Sequence, residues 1–344
     1  MTAGAAARGR GQGVWPYAGA LVVALAVLGG LVAALGGDAA GALAGLFRAS
    51  LGSAAGLGQT LNKTTPLLLG SLAVVLGLRA GVFNIGVDGQ IYAGAVAATG
   101  VAFLLAGLPR GFAVPAVLLA GMAGGALLGA IPGLLRARWG VSEIFVTVML
   151  NFIAVFLVEY LSTGPWNDPT AGEAITRAIP PGATLPWLLP QAGAHAGVLL
   201  ALGTALGVWA LLYRTVFGYE LRAAGDNPSA ASLGGVPVAR TVALALGASG
   251  ALAGLAGAVE VSGFHYRLIL GLSPGYGMMA ILIAVLSRRH PLGAVAVSFG
   301  FAALVVGTDS LQRSVGLPAS AVFVVQAAVL LVLLAVEGLR RNPA

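Results

Sequence analysis

The sequence predicts an all-α, polytopic membrane protein of about ten transmembrane helices, in two inverted halves with discontinuous helices. Composition gives the first reason. Of 344 residues, 58% are hydrophobic and 8% charged, whereas an ordinary globular chain has about a quarter of its residues charged. The second is spacing. Apolar runs near the length of a bilayer crossing fall at 17–35, 62–78, 88–107, 112–135, 142–161, 196–213, 241–261, 274–287, 291–309 and 318–337. The third is the placement of positive charge. With the N-terminus inside, the inner side collects Arg8, Arg10, Arg79, Arg136, Arg138, Arg214, Arg222, Arg240, Arg288, Arg289, Arg340 and Arg341. The outer side collects Arg48, Lys63, Arg110, Arg177, Arg267 and Arg313. Twelve against six follows the retention of Lys and Arg on the cytoplasmic face and places both termini and the 215–240 loop in the cytoplasm.

The net charge of +7 is read the same way. No basic cluster or aromatic platform points to nucleic acid. The 53 glycines suit close helix packing in a membrane. With no cysteine, structural disulfides, thiol catalysis and thiolate metal sites are excluded.

Taken in order, the run at 17–35 follows Arg8 and Arg10 and is longer than a signal-peptide core of about 7–15 residues, so it reads as an uncleaved first helix. Residues 60–161 form the first half, 162–195 an extracytoplasmic segment, 215–240 a cytoplasmic loop and 241–337 the second half. The 162–195 segment is broken by Pro and Gly and carries Trp166 and Trp187, suited to a membrane interface. It reads either as a solvated connector or as a landing surface for an extracytoplasmic partner.

Two spans look defective. The run at 62–78 holds Lys63, Thr64, Thr65 and Pro66 and leads into RAGVFNIGVDGQ at 79–90. The eighth run is little more than 278–286, after GLSPGYG at 271–277, and about ten helical residues cannot cross a core of about 30 Å. One break lies on the inner side and the other on the outer. Spans two to five and seven to ten therefore read as inverted copies flanking the central loop, the pattern of discontinuous helices beside a transport path.

Candidate path residues follow from these breaks. In the first, Asn84, Asp88 and Gln90 can pair exposed amides or meet a polar solute, and Asp88 suits the N-terminal cap of the third helix. The fifth span opens on Ser142 as a candidate N-cap and carries Glu143, Thr147 and Asn151 at i, i+4, i+8. That polar stripe serves either as interhelical glue or as a face of the path. Tyr276 is the candidate in the second break. Glu159, Glu260, His265 and Asp309 read as interfacial residues at the outer ends of spans.

The loop GYELRAAGDNPSAASLGGV at 218–236 reads as helix, turn, helix. Asp226 or Asn227 caps, Pro228 occupies the first turn, and Ser229–Leu233 ends at Gly234-Gly235. A surface helix of small residues suits another protein's groove, so the loop reads as a docking element for an ATPase. Its candidate coupling residues are Glu220, Arg222, Gly225, Asp226, Asn227, Pro228, Ala230 and Gly234.

This loop resembles the coupling segment of ABC-importer permeases of the ribose/branched-chain amino acid type. RAGVFNIGVDGQ, VSEIFVTVMLNFIAVFL and GYGMMAILIAVLSRRHPLG resemble segments of the nucleoside and simple-sugar branch, over about 60–337. The resemblance implies a permease subunit in the bacterial cytoplasmic (inner) membrane. It would pair with a second permease, often a different one, and work with a separate cytoplasmic ATPase and an extracytoplasmic substrate-binding lipoprotein. ATP and magnesium would belong to the ATPase, with no cofactor or metal in this chain, and the solute would be a nucleoside or simple sugar. Gly225, Asn227, Pro228, Ala230 and Gly234 match the family's coupling positions. Asp226 and Asp88 stand where Glu is frequent, and Met278-Met279 where smaller or acidic residues are common. An ion-coupled secondary transporter is the rival; its broken helices would fit, but mid-span polar groups are mainly Thr147 and Asn151. A membrane enzyme is disfavoured by the lack of clustered acids and histidines.

Overall fold

The computed structural model describes residues 38–315 and six isolated helical positions nearer the ends. The chain divides into two compact units, Ser53–Ala303 and a smaller one formed by Met1–Gly52 with Leu304–Ala344. The described helices are α1 (Ala39–Leu51), α2 (Ala54–Arg79), α3 (Val87–Leu104), α4 (Arg110–Trp139), α5 (Glu143–Thr163), α6 (Gly197–Arg214), α7 (Val216–Asp226), α8 (Pro228–Leu233), α9 (Val238–Val259), α10 (Tyr276–Leu286) and α11 (Pro291–Val315).

Seven helices are long and apolar enough to cross a membrane among the described residues. With the short α10 they match the eight middle runs of the sequence. The runs at 17–35 and 318–337 lie outside the continuously described residues. Helix α1 was not anticipated. Asp38 caps it by accepting the Ala40 N–H, and within the smaller unit its Leu46 packs against Gly307, where a Cβ would collide.

In the larger unit, α2 and α9 form the centre. In their most apolar stretches 83% and 72% of residues are buried, against 22% for α4 and 17% for α5. The outward residues of α5, including Phe145, Phe152, Ile153 and Phe156, are exposed and apolar, as a lipid-facing helix requires. Helices α4 and α9 meet along glycines. A Cβ on Gly125 would stand 2.6 Å from the Gly254 Cα, and one on Gly254 would stand 2.8 Å from the Gly125 Cα. No larger residue allows backbones this close.

The backbone becomes irregular at 80–86, between spans two and three, and the run at 62–78 lies within α2, which is continuous for 26 residues through Pro66. Its N-terminal half is polar enough to hide in a hydropathy reading, yet its hydroxyls are satisfied locally. Thr64 and Thr65 donate to the Thr60 and Leu61 carbonyls at 2.7 and 3.1 Å. Lys63 therefore lies inside a helix and not in an outer loop. The span at 241–261 runs on as a π-turn, Glu260–His265.

The 162–195 segment is no plain solvated connector. It holds a small antiparallel ribbon, β1 (Trp187–Leu189) with β2 (Ala194–His195), so the chain is mostly rather than wholly helical. Ile179, Ala183, Leu185 and His195 are buried. Thr176, Ile179 and Leu185 donate backbone N–H groups to the carbonyls of Leu268, Tyr266 and Ser262, strapping the segment over the chain that follows α9. At its exposed end, the Thr170 hydroxyl and amide hold the Asp168 carboxyl below its usual pKa, with Arg267 at 3.7 Å.

Candidate translocation and coupling sites

The first irregular segment, 80–86, joins α2 to α3, and much of its backbone is buried. Non-helical backbone in a membrane protein must be paired by protein, and α5 does this. Glu143 accepts the Phe83 N–H at 3.1 Å and pairs with Arg136. Asn151 accepts the Gly89 N–H at 2.8 Å and donates to the Ile85 carbonyl at 3.1 Å. Thr147, buried between them, packs against Gly86, where a Cβ would come within 2.9 Å of the Thr147 Cβ. The stripe at i, i+4, i+8 is the glue of this segment. Ser142 sits at the N-cap position, but its side chain makes no capping bond.

Asn84 and Gln90 face inward. The Asn84 amide donates to Gln90 Oε1 and to Ser249 Oγ, both at 2.8 Å, while its oxygen accepts from Gln90 at 3.2 Å and from the Gly86 N–H at 3.0 Å. Ser249 donates on to the Ala73 carbonyl at 2.7 Å. All three side chains are buried, and this network ties the segment to α2, α3 and α9.

Asp88 does not cap its own helix. Gly86 holds the N-cap position of α3 without a side-chain bond. The carboxylate instead accepts from Ser273 Oγ at 2.6 Å and from the Gly277 N–H at 2.8 Å, so it caps α10 from across the fold. One turn along α3, the Tyr92 hydroxyl accepts the N–H groups of Gly271 and Ser273 at 3.2 and 3.4 Å. The second irregular segment, 266–275, is thus held by α3 as the first is held by α5. Tyr266 and Gly275 bracket it in left-handed conformations. Tyr276 is buried, and its hydroxyl accepts from Lys63 Nζ at 2.7 Å.

Helices α7 and α8 form the expected helix, turn, helix. Thr215 caps α7 and Asn227, not Asp226, caps α8 by accepting the Ala230 N–H at 3.0 Å; Pro228 sits in the first turn. The candidate coupling residues divide by exposure. Gly225 lies against the first irregular segment: a Cβ there would collide with the Arg79 carbonyl, and Gly81 opposite has φ +74°. Arg222 lies over Tyr213, 5.1 Å from the ring centroid, and Arg79 donates to the Tyr213 hydroxyl at 2.9 Å. Glu220 is half-buried, whereas Asp226, Asn227, Pro228, Ala230 and Gly234 are exposed. Leu233 is 92% exposed.

Sequence reasoning missed three groups. Glu260 and His265 lie together in the π-turn that follows α9. Glu260 is buried in the π-turn, and its Oε2 lies 3.3 Å from His265 Nδ1 without hydrogen-bond alignment. His195 is buried against Gly263 of the same turn and accepts the Gly197 N–H at Nδ1. Burial lowers its pKa, and Glu260 pulls the other way. The third group is Lys63 with Phe264. A charge read as facing water gave no reason to pair it with an aromatic some 200 residues away.

The model of the family "Branched-chain amino acid transport system / permease component" matches residues 56–334. The chain is 35% identical to a glucose ABC transporter permease protein of Haloferax volcanii, over 93% of this chain and 87% of that one. It is 32% identical to a guanosine ABC transporter permease protein of Bacillus subtilis, over 91% and 90%. A nucleoside ABC transporter permease protein of Lactococcus lactis subsp. cremoris is also 32% identical, over 83% and 80%. With an irregular backbone held at two places among membrane-length helices and a capped helical hairpin at one end, the chain belongs to this family of ABC transporter permeases, a multi-pass transport subunit whose ATPase is a separate chain.

Proposed function

We propose that this chain is one of two membrane subunits of an importer for a nucleoside or simple sugar in the bacterial cytoplasmic (inner) membrane. A cytoplasmic ATPase docks under residues 215–240, and an extracytoplasmic lipoprotein delivers the solute to the 162–195 face. The relatives' assignment to glucose, guanosine and nucleoside transport supports the solute class. Two guanosine permease proteins of one Bacillus subtilis strain are both similar to this chain, at 32% and 31% identity, which supports pairing with a non-identical permease. The distribution of Lys and Arg supports cytoplasmic termini. The polar inner-side and outer-side breaks support an inverted relation between α2–α5 and the spans from α9 onward.

The observation that carries the docking reading is the two-sidedness of the α7–α8 hairpin. Its Gly225 side is locked to the chain's own 79–81 backbone, while Asn227, Pro228 and Leu233 point away and are exposed. Force applied to the exposed side reaches the first irregular segment through backbone contact. Nucleotide-driven motion of the ATPase would then bias rocking of the packed helices.

The test is replacement of Asn227 and Pro228 by Ala in the assembled transporter. Solute uptake and solute-stimulated ATP hydrolysis should fall at least tenfold while membrane insertion is kept. Uptake that persists at the parental rate refutes the docking assignment.

A further inference from the structure

We propose that Lys63, Phe264 and Tyr276 form a water-accessible cationic filter on the solute route. It accepts uncharged, oxygen-rich solutes and repels cations, and it rests on the transport reading above. Lys63 is the tenth residue of α2, about 14 Å along the helix from its N-terminal end at 1.5 Å per residue. A cation on a helix of membrane-spanning length is costly where it faces lipid.

Its neighbours do not neutralise it. Nζ donates to the Tyr276 hydroxyl at 2.7 Å and lies 4.7 Å from the Phe264 ring centroid and 5.4 Å from that of Tyr276. Among the described residues no carboxylate lies within 4.0 Å of it. The Phe264 ring and the Tyr276 hydroxyl hold the ammonium in place but leave its net charge uncancelled. Of three ammonium donors, one is used by Tyr276, so others remain for a solute oxygen. Exposure follows the same division. Tyr276 is buried as the support, whereas Lys63 and Phe264 are only half-buried.

Two structural features aim these residues. Phe264 sits in the π-turn that continues α9, an irregularity frequent at functional sites. Asn62, beside Lys63, is committed to the outer ribbon, donating to the Gly193 carbonyl and accepting the His195 N–H. This fixes the rotation of α2 at that turn.

With no cysteine in this chain, an introduced thiol is the single labelling site of this subunit, read on its separated band. The probes are two methanethiosulfonates, one carrying a sulfonate and one a trimethylammonium group, applied to membrane vesicles without ATP. Lys63→Cys should react at least tenfold faster than Phe156→Cys, placed on the exposed apolar face of α5. In Phe264→Cys, adding Lys63→Gln should raise the ratio of cationic to anionic labelling rate about tenfold, as loss of a unit charge at this range implies; Lys63→Arg should leave it unchanged. A Lys63→Cys rate no faster than that of Phe156→Cys, or a ratio indifferent to Lys63→Gln, overturns the filter. These readings need no turnover. Failure here leaves ATPase docking standing, and failure of the Asn227 and Pro228 test leaves the labelling pattern unaffected.

Discussion

The two irregular segments solve one problem with different materials. Segment 80–86 is held by a three-residue stripe on α5 and by an inward Asn84–Gln90–Ser249 network with no exposed member. Segment 266–275 is held by two residues of α3, Asp88 and Tyr92, and by the strap of the 162–195 chain. The first is cross-braced on several sides and abuts the α7–α8 hairpin through Gly81 and Gly225. The second is held by one carboxylate and one phenol of α3 together with that strap, beside the Lys63 cation. On the proposed docking reading, the first segment transmits motion and gains from being stiff. The second, beside the proposed solute route, gains from attachments that can be released together.

That difference can be broken most sharply at Asp88. Its carboxylate makes two charge-assisted bonds, each worth up to about 1.5–3 kcal/mol, so Asp88→Ala should destabilise the purified protein by about 3 kcal/mol. Asp88→Asn, which keeps an acceptor, should lose about half of that. Thermal unfolding in detergent measures both. Next is Asn151→Leu, which leaves the Gly89 N–H and Ile85 carbonyl unpaired and should cost about 2 kcal/mol in the same assay. It should cost less than Asp88→Ala, because the Asn84 network still braces the segment. Tyr92→Phe should cost about 1 kcal/mol or less, since its two bonds are long.

The smallest effect concerns pH at His195. The folded chain holds His195 neutral, with its pKa lowered, so protons bind the unfolded chain more readily. Its stabilising contribution is complete above the ordinary histidine value of about 6.5 and declines as pH falls below it. His195→Asn should flatten the dependence of unfolding temperature on pH between about 7.5 and 5.

Much of this body was legible in the sequence because length and hydropathy decide which helices cross a membrane. The α7–α8 hairpin was equally legible: Asn227, Pro228 and Gly235 each require a particular backbone geometry, and the structure shows Asn227 as the cap, Pro228 in the first turn and Gly235 at φ +86°. Long-range partners were not legible. Asp88 followed by Gly89 looked like a local cap, yet it reaches Ser273 and Gly277 some 185 residues away. The polar start of α2 looked like a defect in that span because hydropathy cannot see Thr hydroxyls folding back on their own helix. Lys63 was counted with the outer charges for the same reason.

Amide hydrogen exchange on the parent, Asp88→Ala and Asn151→Leu proteins tests most directly whether each irregular segment is held by its neighbouring helix. Asp88→Ala should speed exchange at 271–277 at least tenfold and leave 82–90 protected, and Asn151→Leu should do the reverse. Unchanged exchange in both variants, or equal loss of protection across both segments, would contradict it.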